Sequence, residues 1–318
     1  MKSRRNNNGM ALLITLTVIT LLIVTTLELN RRMRSAVIMS ASGRDQITLI
    51  SMASSGIHGG MALLVYDKQH TLIDSLNENW ADPVKVTRFL DTLAFDNGDL
   101  TVEISDELSR IQVNALVEGP DGHNFNMLQQ QLMFRFLDHH IPIENRDSNT
   151  SPHAIIDSIK DWIDYGDADA VTGLNGAESD YYRGLDPPYS CADSFLTVLT
   201  DLMRIKGITK DLYFGNSEKP GLSRYLTVFG VFENSGEKMI YPGKININTA
   251  EAPVLKALFS PEYEDMVDIL IDFRSEKTES PFIHDLSDPA WYKRVPGFGS
   301  AQIDPELVTT SSDLFRIS

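Results

Sequence analysis

Residues 1–34 read MKSRRNNNG (1–9), MALLITLTVITLLIVTTL (10–27) and ELNRRMR (28–34), and they set the architecture of everything that follows. The middle segment holds 18 residues without a charged side chain. A helix of that length is just sufficient to span the hydrocarbon core of a bilayer. Basic residues before the span favour a cytoplasmic leader, although basic residues also follow it. We expect a single-pass membrane helix over 10–27.

The junction at Gly9 distinguishes three kinds of N-terminus. A cleaved signal peptide has a shorter apolar region and a small-residue cleavage site, whereas charged and bulky residues follow here at 28–32. A plain membrane anchor is the second possibility. The third is a type IV prepilin leader, which this junction resembles because Gly9 directly precedes the apolar run. That resemblance implies cleavage between Gly9 and Met10 by a prepilin peptidase, and N-methylation of Met10.

Ile14 occupies the fifth position of the chain that would result from this cleavage. Pilins that repeat along a fibre usually carry Glu there, which pairs with a neighbour's N-terminal ammonium in an apolar fibre core. An unpaired charge in that core would be expensive. Since Ile14 cannot supply the carboxylate, the residue suits a subunit present once, at an end of the fibre.

Composition bounds the remaining functions. The chain has 318 residues and a net charge of −16, and the leader carries +3, which leaves −19 for the rest. Such acidity disfavours a general nucleic-acid binder. Cys191 is the only cysteine, so no internal disulfide can form. The histidines stand in no nucleophile motif, and we expect no enzymatic activity.

The pattern after the membrane span predicts a long helix from about Met10 to about Tyr66, with an amphipathic second half. Two helices broken near Ser42–Gly43 are the alternative. Glycines at 56, 59 and 60 would allow close packing, for example against a sheet. A short helix at Pro83–Leu93 and a half-buried strand at Gly98–Asp106 should follow. This order is the plan of a pilin.

An internal near-repeat marks the middle of the chain. Residues 110–115 match 244–249 in kind, and the second copy leads into a helix that Asn248 or Thr249 is placed to cap. Each copy then reaches an apolar-x-Gly-apolar turn, at 205–208 and 295–298, which is typical of a helix-hairpin-helix. Such hairpins often bind DNA phosphates, but the acidic balance favours compact packing units instead.

An acidic, glycine-rich segment lies inside the first copy. Its six carboxylates would repel one another in an ordered loop, and they are Asp161, Asp164, Asp167, Asp169, Glu178 and Asp180. Ca²⁺ accepts six to eight oxygen ligands in flexible loop geometry and would offset this repulsion. A solvated acidic loop without metal is the alternative. Zinc is disfavoured because His and Cys are absent from the segment.

Taken in order, these features resemble the protein K family of minor pseudopilins in the type II secretion system. The motifs that carry the likeness are Gly9-Met10, Ile14, Ser109–Ala115, Asp161–Asp164, Gly176–Tyr182, Ile245–Ala250 and Ser312–Arg316. The resemblance implies an α+β fold, with a pilin-like long N-terminal helix packed on an antiparallel sheet and a large, mostly helical (helix-hairpin-helix or SAM-like) inserted domain. It also implies a place at the pseudopilus tip, together with minor pseudopilins of types I and J.

The same resemblance implies calcium in the helical insertion. The ligands carried over are Asp164, Asp167, Asp169, Glu178 and Asp180. The family commonly shows Asp-Trp-Ile-Asp-x-Asp, whereas this chain has Gly166 in the last place and Asp167 after it. The position of individual ligands therefore shifts by about one residue.

The resulting hypothesis is a minor pseudopilin that initiates or caps pseudopilus assembly and supports export of folded periplasmic proteins. It would lie in the bacterial inner membrane with its large domain in the periplasm and would bind no nucleic acid. A minor pilin of a type IV pilus and an anchored DNA-binding protein are the alternatives. The predicted segments are a leader (1–9), an assembly helix (10–27), a pilin-like body (28–106), a helical insertion (107–218), a return to the body (219–243), a second hairpin unit (244–300) and a closing strand segment (301–318).

Overall fold

The computed structural model describes residues 8–90, 98–119, 122–164, 171–217, 219–232, 239–277 and 283–318. The helices are α1 (Asn8–Lys68), α2 (Pro83–Leu90), α3 (Met127–His140), α4 (Pro152–Ile163), α5 (Ser179–Arg183), α6 (Lys210–Phe214), α7 (Ala252–Leu258) and α8 (Val267–Ser275). The strands are β1 (Ile104–Asp106), β2 (Ile111–Gln112), β3 (Leu226–Thr227), β4 (Val231–Phe232), β5 (Met239–Ile240), β6 (Ile245–Asn246), β7 (Val308–Thr309) and β8 (Phe315–Ile317). Short 3₁₀ helices connect many of them.

Helix α1 is continuous over 61 residues, with no break at Ser42–Gly43. At 1.5 Å per residue it is about 90 Å long. It is the one helix among the described residues long and apolar enough to cross a membrane, with a mean hydropathy of 2.5 in its most apolar window. Its apolar side chains between Met10 and Leu29 are exposed. The leader before Asn8 lies outside the described residues.

The pilin-like body forms where the C-terminal part of α1 meets α2 and a small sheet. Strands β1 and β8 pair antiparallel, with Ile104 opposite Ile317. Their core includes Leu63 of α1 and Trp80, both buried. Gly60 permits the close approach, since a Cβ there would lie 3.1 Å from Ile317. The predicted α+β fold, with a long helix on an antiparallel sheet, is confirmed.

The predicted elements of this body are shorter in the structure. The helix expected at Pro83–Leu93 covers Pro83–Leu90, and residues 91–97 lie outside the described part of the chain. The strand expected at Gly98–Asp106 covers only Ile104–Asp106, the part that pairs with β8. The length of β1 is set by its pairing with β8, and the sequence pattern of one strand carries no information about its partner.

The internal repeat appears in the backbone pairing. Strand β2 pairs in parallel with β3, and β6 pairs in parallel with β7, so each copy begins and ends on one two-residue ladder. Each copy contains two helices, α3 and α4 or α7 and α8, followed by a 3₁₀ helix and a glycine turn. The turn glycines Gly207 and Gly297 have φ of 88° and 91°, a conformation that favours glycine.

Corresponding asparagines hold the two copies closed. Asn114 donates to the carbonyls of Leu196 (2.9 Å) and Val228 (3.0 Å) and accepts from the Leu196 amide (2.9 Å). In the second copy Asn248 donates to the carbonyls of two loops, Leu286 and Thr310, both at 3.3 Å. Its oxygen accepts from the Trp291 indole at 2.8 Å. Both asparagines are buried.

The predicted cap of α7 by Asn248 or Thr249 is wrong. The helix begins at Ala252, its N-cap position is Glu251, and no side chain caps it. Thr249 instead donates to the buried Asp106 carboxylate at 2.5 Å. The side chains of Asn248 and Thr249 both hydrogen-bond to residues that are distant in the sequence, and the local sequence gives no sign of these partners.

The two helical units share one hydrophobic core, which runs from Ile111 to Val308. The sequence predicts that residues 219–243 belong to the pilin-like body, yet Leu222, Leu226 and Val228 lie in this shared core. They do so because β3 closes the first repeat against β2. The last strand, β8, is the segment that returns to the pilin-like body.

Candidate metal centre

Helix α4 positions the acidic residues of the first copy. The Ser151 hydroxyl accepts from the Ala154 amide at 3.3 Å, and Pro152 occupies the first turn, so the helix start is well defined. Asp157, Asp161 and Asp164 are spaced by four and three residues and therefore lie on one helix face. This face points toward the loop 171–178, as the hydrogen bonds of Asp161 show.

Asp161 organises that loop. Its carboxylate is fully buried and accepts from the backbone amides of Thr172 (3.0 Å) and Ala177 (2.7 Å). Gly176 is required at the approach, since a Cβ there would collide with the Asp161 carboxylate. Burial raises the pKa of Asp161, and the hydrogen bonds from the loop pull it down in part. Asp161 thus fixes the backbone that leads into Glu178.

Asp164 and Glu178 complete the acidic cluster, which we define as Asp161, Asp164 and Glu178. All three are buried, and each offers a carboxylate oxygen within 4.8 Å of the others. Lys160 donates to Asp164 at 2.5 Å and to the Thr172 hydroxyl at 3.1 Å. One ammonium against three carboxylates leaves an excess of negative charge in a buried place, which costs free energy unless a cation offsets it.

The chemistry of the donors indicates which cation fits. Carboxylate oxygens are the ligands of hard cations such as Ca²⁺. Cys191 lies beside the cluster, and its Sγ contacts the Asp161 carbonyl at 3.1 Å. Burial raises the pKa of this thiol to about 12, so it stays protonated and is a poor ligand for a soft metal. Glu178, Cys191 and Asp193 form a second acidic group that shares Glu178.

The structure brings two of the five predicted ligands together. Asp164 and Glu178 lie in the acidic cluster. Asp167 and Asp169 fall outside the described residues. The Asp180 carboxylate is exposed on α5, where it pairs with Arg183 at 3.0 Å. Asp161 belongs to the predicted acidic segment but not to the five ligands that the resemblance implies, although its spacing of three residues before Asp164 places both on one helix face.

Aromatic side chains connect the acidic cluster to the first hairpin turn. The Trp162 ring meets the Tyr182 ring edge-on at 5.1 Å between centroids, and Tyr182 stacks on Tyr189 at 5.3 Å. The Tyr182 hydroxyl accepts from the backbone amide of Lys206, which precedes the turn glycine. The turn therefore acts as a support for the loop that carries Glu178.

One basic residue of each hairpin turn, Lys206 or Arg294, is engaged within the chain. Lys206 Nζ donates to the carbonyls of Asn175 (2.9 Å) and Gly176 (3.3 Å). In the second turn Arg294 donates to the Asp285 carbonyl. A phosphate-binding hairpin needs such cations directed at solvent. The geometry thus supports packing hairpins over DNA-binding ones.

Comparison with known proteins gives consistent matches. The family model described as type II secretion system (T2SS), protein K matches residues 109–216. The type II secretion system protein K of Pectobacterium carotovorum subsp. carotovorum is 28% identical over 268 residues, which are 81% of this chain and 72% of that protein. The protein K of Aeromonas hydrophila is 27% identical over 221 residues, 67% of this chain and 62% of that protein.

A solved structure shares the fold. A chain in the crystal structure of the GspK–GspI–GspJ complex from the enterotoxigenic Escherichia coli type 2 secretion system matches with a TM-score of 0.59. The match covers 87% of each chain at 14% sequence identity. A long apolar helix on a small sheet, joined to a helical region with a buried acidic cluster, defines a pilin-like subunit. The predicted membership in the protein K family of the type II secretion system is confirmed by these matches. The chain is a minor pseudopilin of that system.

Proposed function

We propose that this minor pseudopilin stands at the tip of the pseudopilus, where it starts or caps assembly in complex with two other minor pseudopilins, of types I and J. The observation that carries the proposal is α1, a long helix whose apolar side chains between Met10 and Leu29 are exposed in the described part of the chain. Such a surface is stable in a membrane or among other apolar helices. The complex from enterotoxigenic Escherichia coli, which joins GspK to GspI and GspJ, supports partners of this kind.

The position at the tip follows from two features of this chain. Ile14 supplies no carboxylate to a neighbour's N-terminal ammonium, so a copy of this chain inside the fibre would leave that charge unpaired, whereas a copy at the end of the fibre would not. The helical region, residues 107–312, makes the head far larger than the small sheet that α1 needs. A head of that size on top of the fibre would block addition of another subunit above it. The role is one of assembly and involves no catalysis.

The membrane stage of the proposal has the leader in the cytoplasm and the head in the periplasm. Prepilin peptidase would cut between Gly9 and Met10, and Met10 would be methylated. Intact mass spectrometry of the chain from its native membranes tests this step. The proposal expects a mass that lacks residues 1–9 and is heavier by one methyl group, and an unprocessed chain in cells with active peptidase would refute it.

Association with partners is tested separately. The full chain should co-purify in detergent with the type I and type J minor pseudopilins of the same system. Substituting Ile14→Glu restores the carboxylate of a repeating pilin. If Ile14 rather than the head limits the subunit to the tip, copies of the variant should appear below the tip in cross-linking experiments. A variant with the distribution of the natural chain would show that Ile14 does not limit the subunit to one position.

Calcium bound at the acidic cluster would hold the helical region rigid. Asp161, Asp164 and Glu178 would supply oxygens, and the predicted ligands Asp167, Asp169 and Asp180 extend the set. The ion would neutralise the buried charge that Lys160 offsets only in part. Loop 171–178 and helix α5 would then stay fixed on α4.

The cluster is tested by thermal unfolding of the full chain in detergent, in calcium and in chelator. Calcium should raise the Tm by several degrees in the natural chain, because a ligand that binds only the folded state stabilises it. Glu178→Gln should reduce that rise, whereas Glu262→Gln, on an exposed 3₁₀ helix, should keep it in full. Asp180→Asn decides whether the exposed carboxylate is a ligand. An equal rise in the Glu178→Gln chain would remove the cluster from the proposal.

A further inference from the structure

A second acidic group lies in the pilin-like body, at the end of α1. It consists of Asp67 in the last turn of the helix and of Asp74 and Glu78 in the segment that leads to α2. The three side chains are buried, with 7%, 1% and 4% of their surface exposed. Each offers a carboxylate oxygen within 4.8 Å of the others. We refer to these three residues as the neck group.

Asp74 and Glu78 are the two most buried acids of the neck group, and in each of them only one carboxylate oxygen accepts hydrogen bonds. Asp74 Oδ2 accepts from Lys68 Nζ (2.9 Å) and from the Ser312 amide (2.7 Å). Glu78 Oε2 accepts from the Ser75 amide (2.8 Å) and the Trp80 indole (3.0 Å). Asp74 Oδ1 and Glu78 Oε1 are buried and have no hydrogen-bond partner among the residues that the structure describes. A buried carboxylate oxygen without a partner normally costs about 1–3 kcal/mol.

The charges around the neck group are unbalanced. Lys68 is the cation in contact with it, and the Lys68 side chain is 37% exposed. Asp67 stands at the C-terminus of α1, where the helix dipole disfavours a negative charge. Burial raises the pKa of Asp67 and raises that of Glu78 to about 7. Both shifts report that the ionised group is costly in this place.

We propose that Asp67, Asp74 and Glu78 form a binding site for a hard divalent cation, with Ca²⁺ as the best match. The two unpartnered oxygens supply the ligand atoms, and an all-carboxylate donor set suits such an ion. Three carboxylates with one lysine accommodate a doubly charged ion without excess positive charge. The site is distinct from the acidic cluster, because the two groups share no residue.

The location gives the ion a mechanical role. The Asp74 amide donates to the Thr310 carbonyl, and the Asp74 carboxylate accepts from the Ser312 amide. The neck group therefore joins the end of α1 to the segment that closes the sheet through β8. An ion there fastens the long helix to the head at the point where the helix ends.

Terbium luminescence tests the site, because Tb³⁺ replaces Ca²⁺ at oxygen sites and is excited by a nearby indole. Trp80 contacts Glu78 directly, so Tb³⁺ bound to the neck group should emit on excitation of tryptophan. The experiment uses the full chain in detergent with Glu178→Gln already introduced, which removes the contribution of the acidic cluster beside Trp162. Added Ca²⁺ should quench the emission, and Trp80→Phe should abolish most of it.

Ion counting supplies the decisive comparison. In the same Glu178→Gln background, equilibrium dialysis should give about one bound Ca²⁺ fewer per chain for Glu78→Gln. Glu306→Gln, an exposed acid on a 3₁₀ helix, is the matched control and should lose none. In chelator, Glu78→Gln should melt at or above the Tm of its parent, because it removes a buried charge. It should lack the rise that calcium gives the parent.

Two results would overturn the proposal. One is equal ion binding by the folded Glu78→Gln chain and its parent. The other is a lack of Trp80-dependent Tb³⁺ emission from the chain with an intact neck group. That result would mean that the carboxyl groups are protonated and hold no metal. Should Glu78→Gln fail to fold, the terbium measurement still decides, since it needs only the Trp80→Phe change. Neither of these two results would affect the calcium test of the acidic cluster.

Discussion

His140 makes stability of the helical region depend on pH. The imidazole lies at the end of α3, is 4% exposed, and stacks on Phe136 at 5.4 Å between ring centroids. Its Nδ1 has no hydrogen-bond partner within the described part of the chain. Burial, reinforced by the charge of Lys219, lowers the pKa of His140 from 6.5 to about 4. The folded chain therefore keeps this imidazole neutral at pH values where the unfolded chain protonates it.

The sign and size follow from proton linkage. Between pH 6.5 and about 4 the unfolded state binds more protons at His140 than the folded state, so stability falls as the pH falls through this window. The contribution of His140 to the free energy of unfolding is fully present above pH 6.5. A shift of one pKa unit corresponds to about 1.36 kcal/mol, so lowering the pH from 7.5 to 5 should cost about 2 kcal/mol. Solvent screening at the adjoining surface pocket reduces the expected loss to about 1–2 kcal/mol.

The assay is urea unfolding of the full chain in detergent at pH 7.5 and pH 5, followed by tryptophan fluorescence. Other groups also titrate here, since the raised pKa of Glu78 acts in the opposite direction. The comparison is therefore made between the natural chain and His140→Gln, which should lose about 1–2 kcal/mol less on acidification. His123→Gln, at an exposed position, is the matched control. An equal loss in the natural and His140→Gln chains would refute the burial argument.

Three further changes test the helical region. Lys160→Met leaves the buried Asp164 carboxylate without its cation and should lower the free energy of unfolding in chelator by about 3 kcal/mol. The rise in Tm with calcium should become larger in this variant. Equal rises in the variant and the natural chain would contradict this expectation. Asn248→Ala strands two carbonyls and the Trp291 indole and should cost about 2–4 kcal/mol in urea unfolding. Asn114→Ala should cost a similar amount if the two copies are equivalent, and a loss below about 1 kcal/mol in either would show that the network is not structural.

The sequence contained most of the architecture because the main signals are local. An uncharged run, a 3.6-residue apolar period and two apolar-x-Gly-apolar turns predict α1 and the hairpins without knowledge of partners. The glycines at 207 and 297 adopt the positive φ that a turn of this kind requires. The near-repeat was also visible, since Asn114 and Asn248 occupy matching positions.

The rest depended on contacts between distant residues. Asn248 and Thr249 looked like helix caps, yet their partners lie at Leu286, Thr310 and Asp106. The segment around Leu226 carried no sign that it pairs with Ile111. The acidic cluster was predicted in part, since Asp164 and Glu178 were among the implied ligands, whereas Asp161 was named only as one of the six carboxylates of the segment. Helix-face spacing gives a direction, but only the folded loop decides which carboxylates meet.

The pairing of β1 with β8 has a consequence for how the family could change over time. Residues 107–314 leave the small sheet from one strand and return on its immediate neighbour. Adjacent strands lie about 4.8 Å apart, so the whole head is inserted between two points that nearly coincide. Such an insertion places no demand on the spacing of the scaffold around it. The head could therefore lengthen, shrink or duplicate a repeat without altering the helix that neighbouring subunits must recognise.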